Sequence, residues 1–230
     1  NTAMGYGAGT NITTGHENVA IGSGALDAIT TGNDHVAVGY AALGALTTGA
    51  RCVAVGYAAG ANATTGDDNT CIGYDAGVQV TTGGSNTCVG TYAGDAITGG
   101  SSNTVVGRNA LSVCTTNSYN VAVGSAALLN NAASSNTAVG NRALYANTTG
   151  TKNVAVGYDA AKNVTDAPNN TAIGYEALRD VSTGSENTAV GAEALMSHTG
   201  SNATCVGWYA GRLNTTGAYI TAFGRAALHN

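Results

Sequence analysis

The sequence predicts a mainly β fold, a repetitive parallel β-solenoid of about 14 coils. Three observations lead there. Glycine returns every 17 residues from Gly5 to Gly224, with only two intervals of 16. The eighth residue of each repeat is an alanine, from Ala8 to Ala227, in every copy. The residue just before each periodic glycine is always a sizeable apolar one, as in Val89, Val106 and Val123. A fixed period of this length marks units that pack only on their neighbours and bury a continuous core by stacking.

With the periodic glycine as position 5, repeats start near 1, 18, 35, 52, 69, 86, 103, 120, 136, 153, 170, 187, 203 and 220. They fill residues 1–230 as a single array and leave no room for a separate catalytic domain. The array starts at Asn1 in mid-pattern, so it reads as a fragment of a longer chain. Positions 1–5, such as Asn153-Val154-Ala155-Val156-Gly157, are β-branched or small and suit a strand of about five residues. Positions 2 and 4 then share one face, and 1, 3 and 5 the other. Position 3 is always Ala, Cys or Val. A side chain held small in every copy is expected to meet backbone at close range.

Beyond the strand, apolar residues at positions 8, 9 and 12 (Ala25, Leu26, Ile29) are spaced like one helical turn. The second side of each coil is therefore left open between a bent strand and a single short helical turn. Thr-Thr-Gly, as in Thr30-Thr31-Gly32, closes the coil, its glycine expected to supply the positive φ of a tight corner. The two 16-residue copies lose their residue at this corner, near Asn131 and His198.

Stacking turns each position into a row, and fourteen coils at a strand spacing of ~4.8 Å predict a rod roughly 65 Å long. The structural rows are exemplified by Gly73, Gly90 and Gly107, by Ala76, Ala93 and Ala110, and by the valines above. Asn69, Asn86 and Asn103 open a run of eight copies with Asn at position 1, read as an amide ladder along one edge with each side chain bonding the next. Tyr40, Tyr57 and Tyr74 are expected to stack likewise.

Composition excludes several functions. Charged residues are 9% of the chain and the net charge is -5, so nothing would draw nucleic acid or an anionic membrane electrostatically. No apolar run approaches the ~20 residues of a membrane span. Catalytic motifs are lacking: there is no Gly-x-Ser-x-Gly, phosphate loop or Cys-x-x-Cys. No cofactor or metal is expected. His16-Glu17 and Asp34-His35 fall in neighbouring coils and are read as solvated corners, since a closed metal site needs three or four ligands. Cys71, Cys88 and Cys205 occupy position 3 as small buried hydrophobes, and identically directed neighbours suit a Cys71–Cys88 bridge poorly. Cys52 and Cys114 show no partner. Sequons at Asn11, Asn62, Asn147, Asn163, Asn169, Asn202 and Asn214 arise readily in a chain this rich in Asn and Thr.

The stretch Asn136-Thr137-Ala138-Val139-Gly140-Asn141-Arg142-Ala143-Leu144-Tyr145-Ala146-Asn147-Thr148-Thr149-Gly150 resembles the NTAVGYxALYxNTTG arrays of phage tail-fibre-like proteins. More distantly, the Asn-Val-Ala-Val-Gly core is similar to the head repeats of trimeric autotransporter adhesins. The resemblance covers the whole chain. It implies an extended, usually homotrimeric fibre on a virion or cell surface, commonly followed by a self-cleaving chaperone domain. No such domain lies within these 230 residues, and no catalytic residues carry over.

A structural shaft is thus the first functional expectation, with copies of the chain itself as partners in a homotrimer or filament. A glycan- or receptor-binding surface on the same coils is the alternative, using Tyr40, Tyr57, Tyr74 and the corner residues Asp67 and Asp68. Ice binding ranks third, because a flat threonine array needs Thr-x-Thr and these threonines are adjacent. Positions 7, 10, 11, 16 and 17 vary most and are read as the positions free for recognition.

Overall fold

The computed structural model describes residues 1–229 and divides into two compact units, Asn1–Tyr119 and Asn120–Asn230. Each unit is a parallel β-solenoid, with one strand per repeat and strands paired in chain order. In the first, β1 (Thr2–Met4), β2 (Val19–Ile21), β3 (Val36–Val38), β4 (Val53–Val55), β5 (Thr70–Ile72), β6 (Thr87–Val89) and β7 (Thr104–Val106) stack in turn. In the second, β8 (Val121–Val123), β9 (Thr137–Val139), β10 (Val154–Val156), β11 (Thr171–Ile173), β12 (Thr188–Val190), β13 (Thr204–Val206) and β14 (Thr221–Phe223) do the same. Register is one-to-one: Ala20 lies beside Ala37, and Ala155 beside Ala172.

The strands hold three residues, positions 2–4, rather than the expected five, because position 5 leaves the β region. Gly39 has φ of 135° and Gly73 of 135°, a conformation L side chains rarely adopt. Space forbids a side chain as well: a Cβ on Gly5 would lie 2.7 Å from the carbonyl carbon of Gly22 in the next coil.

The second side is neither a helical turn nor a bent strand, and no helix occurs among the described residues. Positions 7 and 9 have positive φ in every copy, for example Ala41 (52°) and Leu43 (49°), or Glu176 and Leu178 (both 51°). A right-handed helix cannot contain such alternation. The backbone instead runs through overlapping turns, in which Ala25 N–H donates to Gly22 O and Gly44 N–H to Ala41 O. Positive φ at the third residue of these turns matches type II geometry. Between turns, alternate amides reach neighbouring coils: Leu26 N–H to Ala42 O, Ala28 N–H to Gly44 O, Thr30 N–H to Thr47 O. Those bonds hold left-handed alanines and leucines in a conformation each would avoid alone, at a cost of roughly 1–2 kcal/mol per residue.

The Thr-Thr-Gly corner also differs from expectation. Its glycine does not take positive φ; the residue two places later does, as in Glu17 (61°), Asp34 (63°) and Ser102 (58°). Crowding favours glycine there, since a Cβ on Gly15 would stand 2.5 Å from Gly32 O and 3.2 Å from Asn18 Nδ2, although Asn117, Ala133 and Ala167 take the same place in three coils. The residue omitted from the 16-residue coils is the second threonine, position 14. Ala132 N–H still meets Thr148 O, the position 13 pairing, and Asn120 Nδ2 still meets Ala133 O, the position 15 pairing.

The core is built from positions 3, 8, 9 and 12, as in Ala37, Ala42, Leu43 and Leu46, all fully buried. Position 4 points outward: Val106 keeps 37% exposure and Val89 and Val123 are half-buried. All five cysteines are free and buried, so Cys71 and Cys88, although paired in register, are unbridged. They show a volume exchange. Where position 3 is Cys, position 9 is Gly: Cys71 with Gly77, Cys88 with Gly94, Cys205 with Gly211. A Cβ on Gly77 would come within 2.6 Å of Cys71 Sγ, and one on Gly94 within 2.8 Å of Cys88 Sγ. The thiol occupies space that Leu fills in coils with Ala at position 3, such as Ala20 and Leu26.

This exchange predicts a coupled pair. Gly94→Leu alone should overpack Cys88 and destabilise by about 1–3 kcal/mol. Adding Cys88→Ala recreates the Ala–Leu–Ile combination of Ala20, Leu26 and Ile29, and should recover at least about half of that loss in a denaturant-midpoint cycle. Additive losses in the double variant would show that the two positions do not share the space.

Candidate functional site

The most constructed feature of the molecule is a buried polar row at position 1. Asn69, Asn86 and Asn103 are inside the coils, not along an outer edge. Each amide does two jobs. Asn86 Nδ2 donates to Gly100 O of its own coil at 2.9 Å, which closes the corner. Its Oδ1 accepts the backbone N–H of Asn103 in the next coil at 3.0 Å, which ties coil to coil. Side-chain-to-side-chain bonds are secondary, at 3.2 Å from Asn86 Nδ2 to Asn69 Oδ1. Unit two repeats the scheme through Asn136, Asn153, Asn170 and Asn187.

His35 and Cys52 belong to this row, which the expectation of a solvated histidine corner missed. His35 is fully buried; its Nε2 bonds Gly49 O at 2.8 Å and its Nδ1 accepts Cys52 N–H at 3.1 Å. Cys52 Sγ donates to Gly66 O at 3.2 Å. Burial lowers the His35 pKa and raises that of Cys52 to about 11, so both stay neutral at pH 7. Asn, His and Cys are thus interchangeable because each carries a donor for the corner carbonyl and an acceptor for the next amide. The clue in the sequence was phase: both residues fall on position 1.

A second set of polar side chains serves the shortened coils. Asn131 Nδ2 donates to Ala133 O at 2.7 Å, while its Oδ1 accepts from Asn136 and from Asn147. His198 Nδ1 lies 2.9 Å from Asn214 O. Position 12, apolar in most copies, is polar in the two shortened coils (Asn131, His198) and in the full-length coil that follows each (Asn147, Asn214).

The corners are less free than their variability implied. Asp67 Oδ1 accepts Ala50 N–H at 2.8 Å, as Asn33 does for His16 and Ser101 Oγ for Gly84. Asp68 pairs with Arg51 through two bonds of 2.6 and 2.8 Å, and that guanidinium holds its carboxyl below the usual range. At position 7, Asp159 is 4% exposed and pairs with Arg142 at 2.8 Å and Lys162 at 3.5 Å. Thr13, Thr30, Thr47 and Thr64 hydroxyls donate to the threonine carbonyls of the next coil.

On the outer face, Tyr40, Tyr57 and Tyr74 stack with centroids 5.1 and 5.0 Å apart, as expected. Tyr92 closes this stack edge-on at 5.5 Å. His16 and Glu17 sit together in the open at 3.7 Å, whereas His35 points inward, so the two histidines form no joint site. Among the described residues no three His, Cys, Asp or Glu gather as metal ligands, and no helix is long and apolar enough to cross a membrane. No family model, curated protein or solved structure matches the chain.

Removing one amide of the row tests its weight. Asn86→Ala strands Asn103 N–H and Gly100 O inside the coil and should destabilise by about 2–4 kcal/mol. Asn62→Ala, which loses one exposed bond to Gln79, should stay within about 0.5 kcal/mol of the parent. Chemical denaturation of the two variants in parallel decides it.

Proposed function

We propose that the chain is a shaft segment of an extracellular or virion-surface fibre, which elongates by stacked coils and assembles with copies of itself. The observation that carries this reading is the outward face of the strands. Position 4 supplies an in-register apolar row, with Val55, Ile72 and Val106 in unit one and Val139, Val156 and Ile173 in unit two all more than a third exposed. The polar groups of the position 1 row are directed along the stack, whereas the position 4 row is left exposed among the described residues. Continuous apolar rows of this kind are characteristic of interfaces, and a second copy offers the same spacing of about 4.8 Å.

The glycan-binding alternative draws on the tyrosine row. Stacking works against it: the faces of Tyr57 are turned to Tyr40 and Tyr74, and sugar rings dock on aromatic faces. Ice binding loses ground for a parallel reason, since half of each threonine pair spends its hydroxyl on the next coil.

Sedimentation of the 22.5 kDa chain at micromolar concentration should give a trimer or longer assembly. Val139→Lys, Val156→Lys and Ile173→Lys together should release folded monomers, because the charges remain solvated on a monomer and are buried in an assembly. A parent chain that stays monomeric and folded overturns the proposal. A variant with Ser at Glu17, Asp34, Arg51, Asp67 and Asp68 should assemble normally and, on the shaft reading, attach to surfaces as the parent does. Loss of attachment with assembly intact would favour the adhesin.

A further inference from the structure

His35 is the one imidazole that stands in the position 1 row among the described residues, and its hydrogen bonds admit a single protonation state. Nε2 faces a carbonyl, Gly49 O at 2.8 Å, and must carry the proton. Nδ1 faces a donor, the Cys52 N–H at 3.1 Å, and must be bare. Gly32 backs onto the ring, and a Cβ there would sit 2.7 Å from Nε2. Its own amide is held by Asn18 Oδ1 at 3.0 Å.

We propose that the step between the third and fourth coils is an acid-operated latch, closed by neutral His35 and opened when a proton on Nδ1 confronts the Cys52 amide. The added proton replaces an acceptor by a donor, so the Cys52 N–H loses its bond and a cation is left inside the coil. Opening frees the Cys52 thiol, which the closed coil keeps against Gly66 O. The preceding step has the Asn18 amide in place of the imidazole and the following one the Cys52 thiol, and neither takes up a proton in this range.

The surrounding charges are few. From the preceding coil comes Asp34, and from the following coil Asp67 and the Cys52 thiol; Arg51, on the same coil, is engaged by Asp68. The two carboxylates favour the protonated ring, but burial outweighs them and the folded-state pKa falls below 6.5. The sign follows: the unfolded or opened chain takes up the proton first, so the latch is fully closed above about pH 6.5 and weakens as pH falls through the lowered value. With one proton involved, the open fraction rises by up to about tenfold per pH unit across that window.

The experiment measures amide-exchange protection at Cys52 and Asn103, with labelling of Cys52 by a pyridyl disulfide, at about pH 7.5 and about pH 5. Cys52 protection should fall, by up to about tenfold per pH unit below about pH 6.5, and labelling rise to match, while Asn103 changes little. His35→Asn, which installs the residue found at this position in most copies, should remove the acid response. Asn69→His, which places an imidazole between Gly83 O and Asn86 N–H, should move it two coils along. Equal Cys52 protection at both pH values would overturn the latch. So would an acid response that survives in His35→Asn, which would assign it to Asp34 and Asp67. If His35→Asn fails to fold, Asn69→His decides: no new acid response at Asn86 refutes the mechanism.

Discussion

Each residue in these coils lies beside its own counterpart one strand spacing away, and the rest of the structure follows from that coincidence. A position must tolerate a copy of itself at about 4.8 Å on both sides. Glycine at position 5 meets the next glycine's carbonyl, and any larger residue would be driven into backbone. Polar side chains satisfy the same condition by being donor on one side and acceptor on the other, which is why amides, hydroxyls and one imidazole form rows. Charges meet it by pairing with an opposite charge, across coils as Arg51 and Asp68 do, or with a cation at another position where Asp159, Glu176 and Glu193 follow one another at position 7.

The left-handed residues at positions 7, 9 and 17 follow from the same demand. Alternating φ lets every other amide close a turn within its own coil while the amides between reach the adjacent coil, so the second side of the coil is bonded without being a strand. Leucine is a poor choice for positive φ in isolation. It is retained at position 9 because its side chain fills the interior, as Leu43, Leu111 and Leu178 do, fully buried. Here packing and inter-coil bonds override local preference.

Much of this was legible in advance, and the rest was hidden for definable reasons. Period, strand placement, the inward position 3 and the tyrosine stack could be read because they depend on alternation and spacing. The turn-rich second side could not: Ala-Leu-x-x-Ile has the same spacing in a helix as in these overlapping turns, and only φ separates them. The role of Thr-Thr-Gly glycine was misassigned because crowding and positive φ both select glycine. His35 and Cys52 were taken for a corner and an orphan because residue type was weighed above phase, although position 1 already named their function. The Cys–Gly exchange at positions 3 and 9 was present in the sequence as a covariation among copies. Recognising it needed the distance between Sγ and the missing Cβ.

The shortened coils carry a consequence for how such a chain changes over generations. Omitting position 14 leaves position 13 paired with the next coil and position 15 with the position 1 amide of its own coil, and polar residues at position 12 of the shortened coil and of the one after it complete the corner. The backbone rows on the upper and lower surfaces of a coil are therefore interchangeable among copies. Unequal crossing-over between the repeated stretches of its gene would add or delete whole coils without a misfit at the junction. Length is then a heritable quantity that can drift quickly, while the cross-section, fixed by rows that must match themselves, is conserved by physics alone.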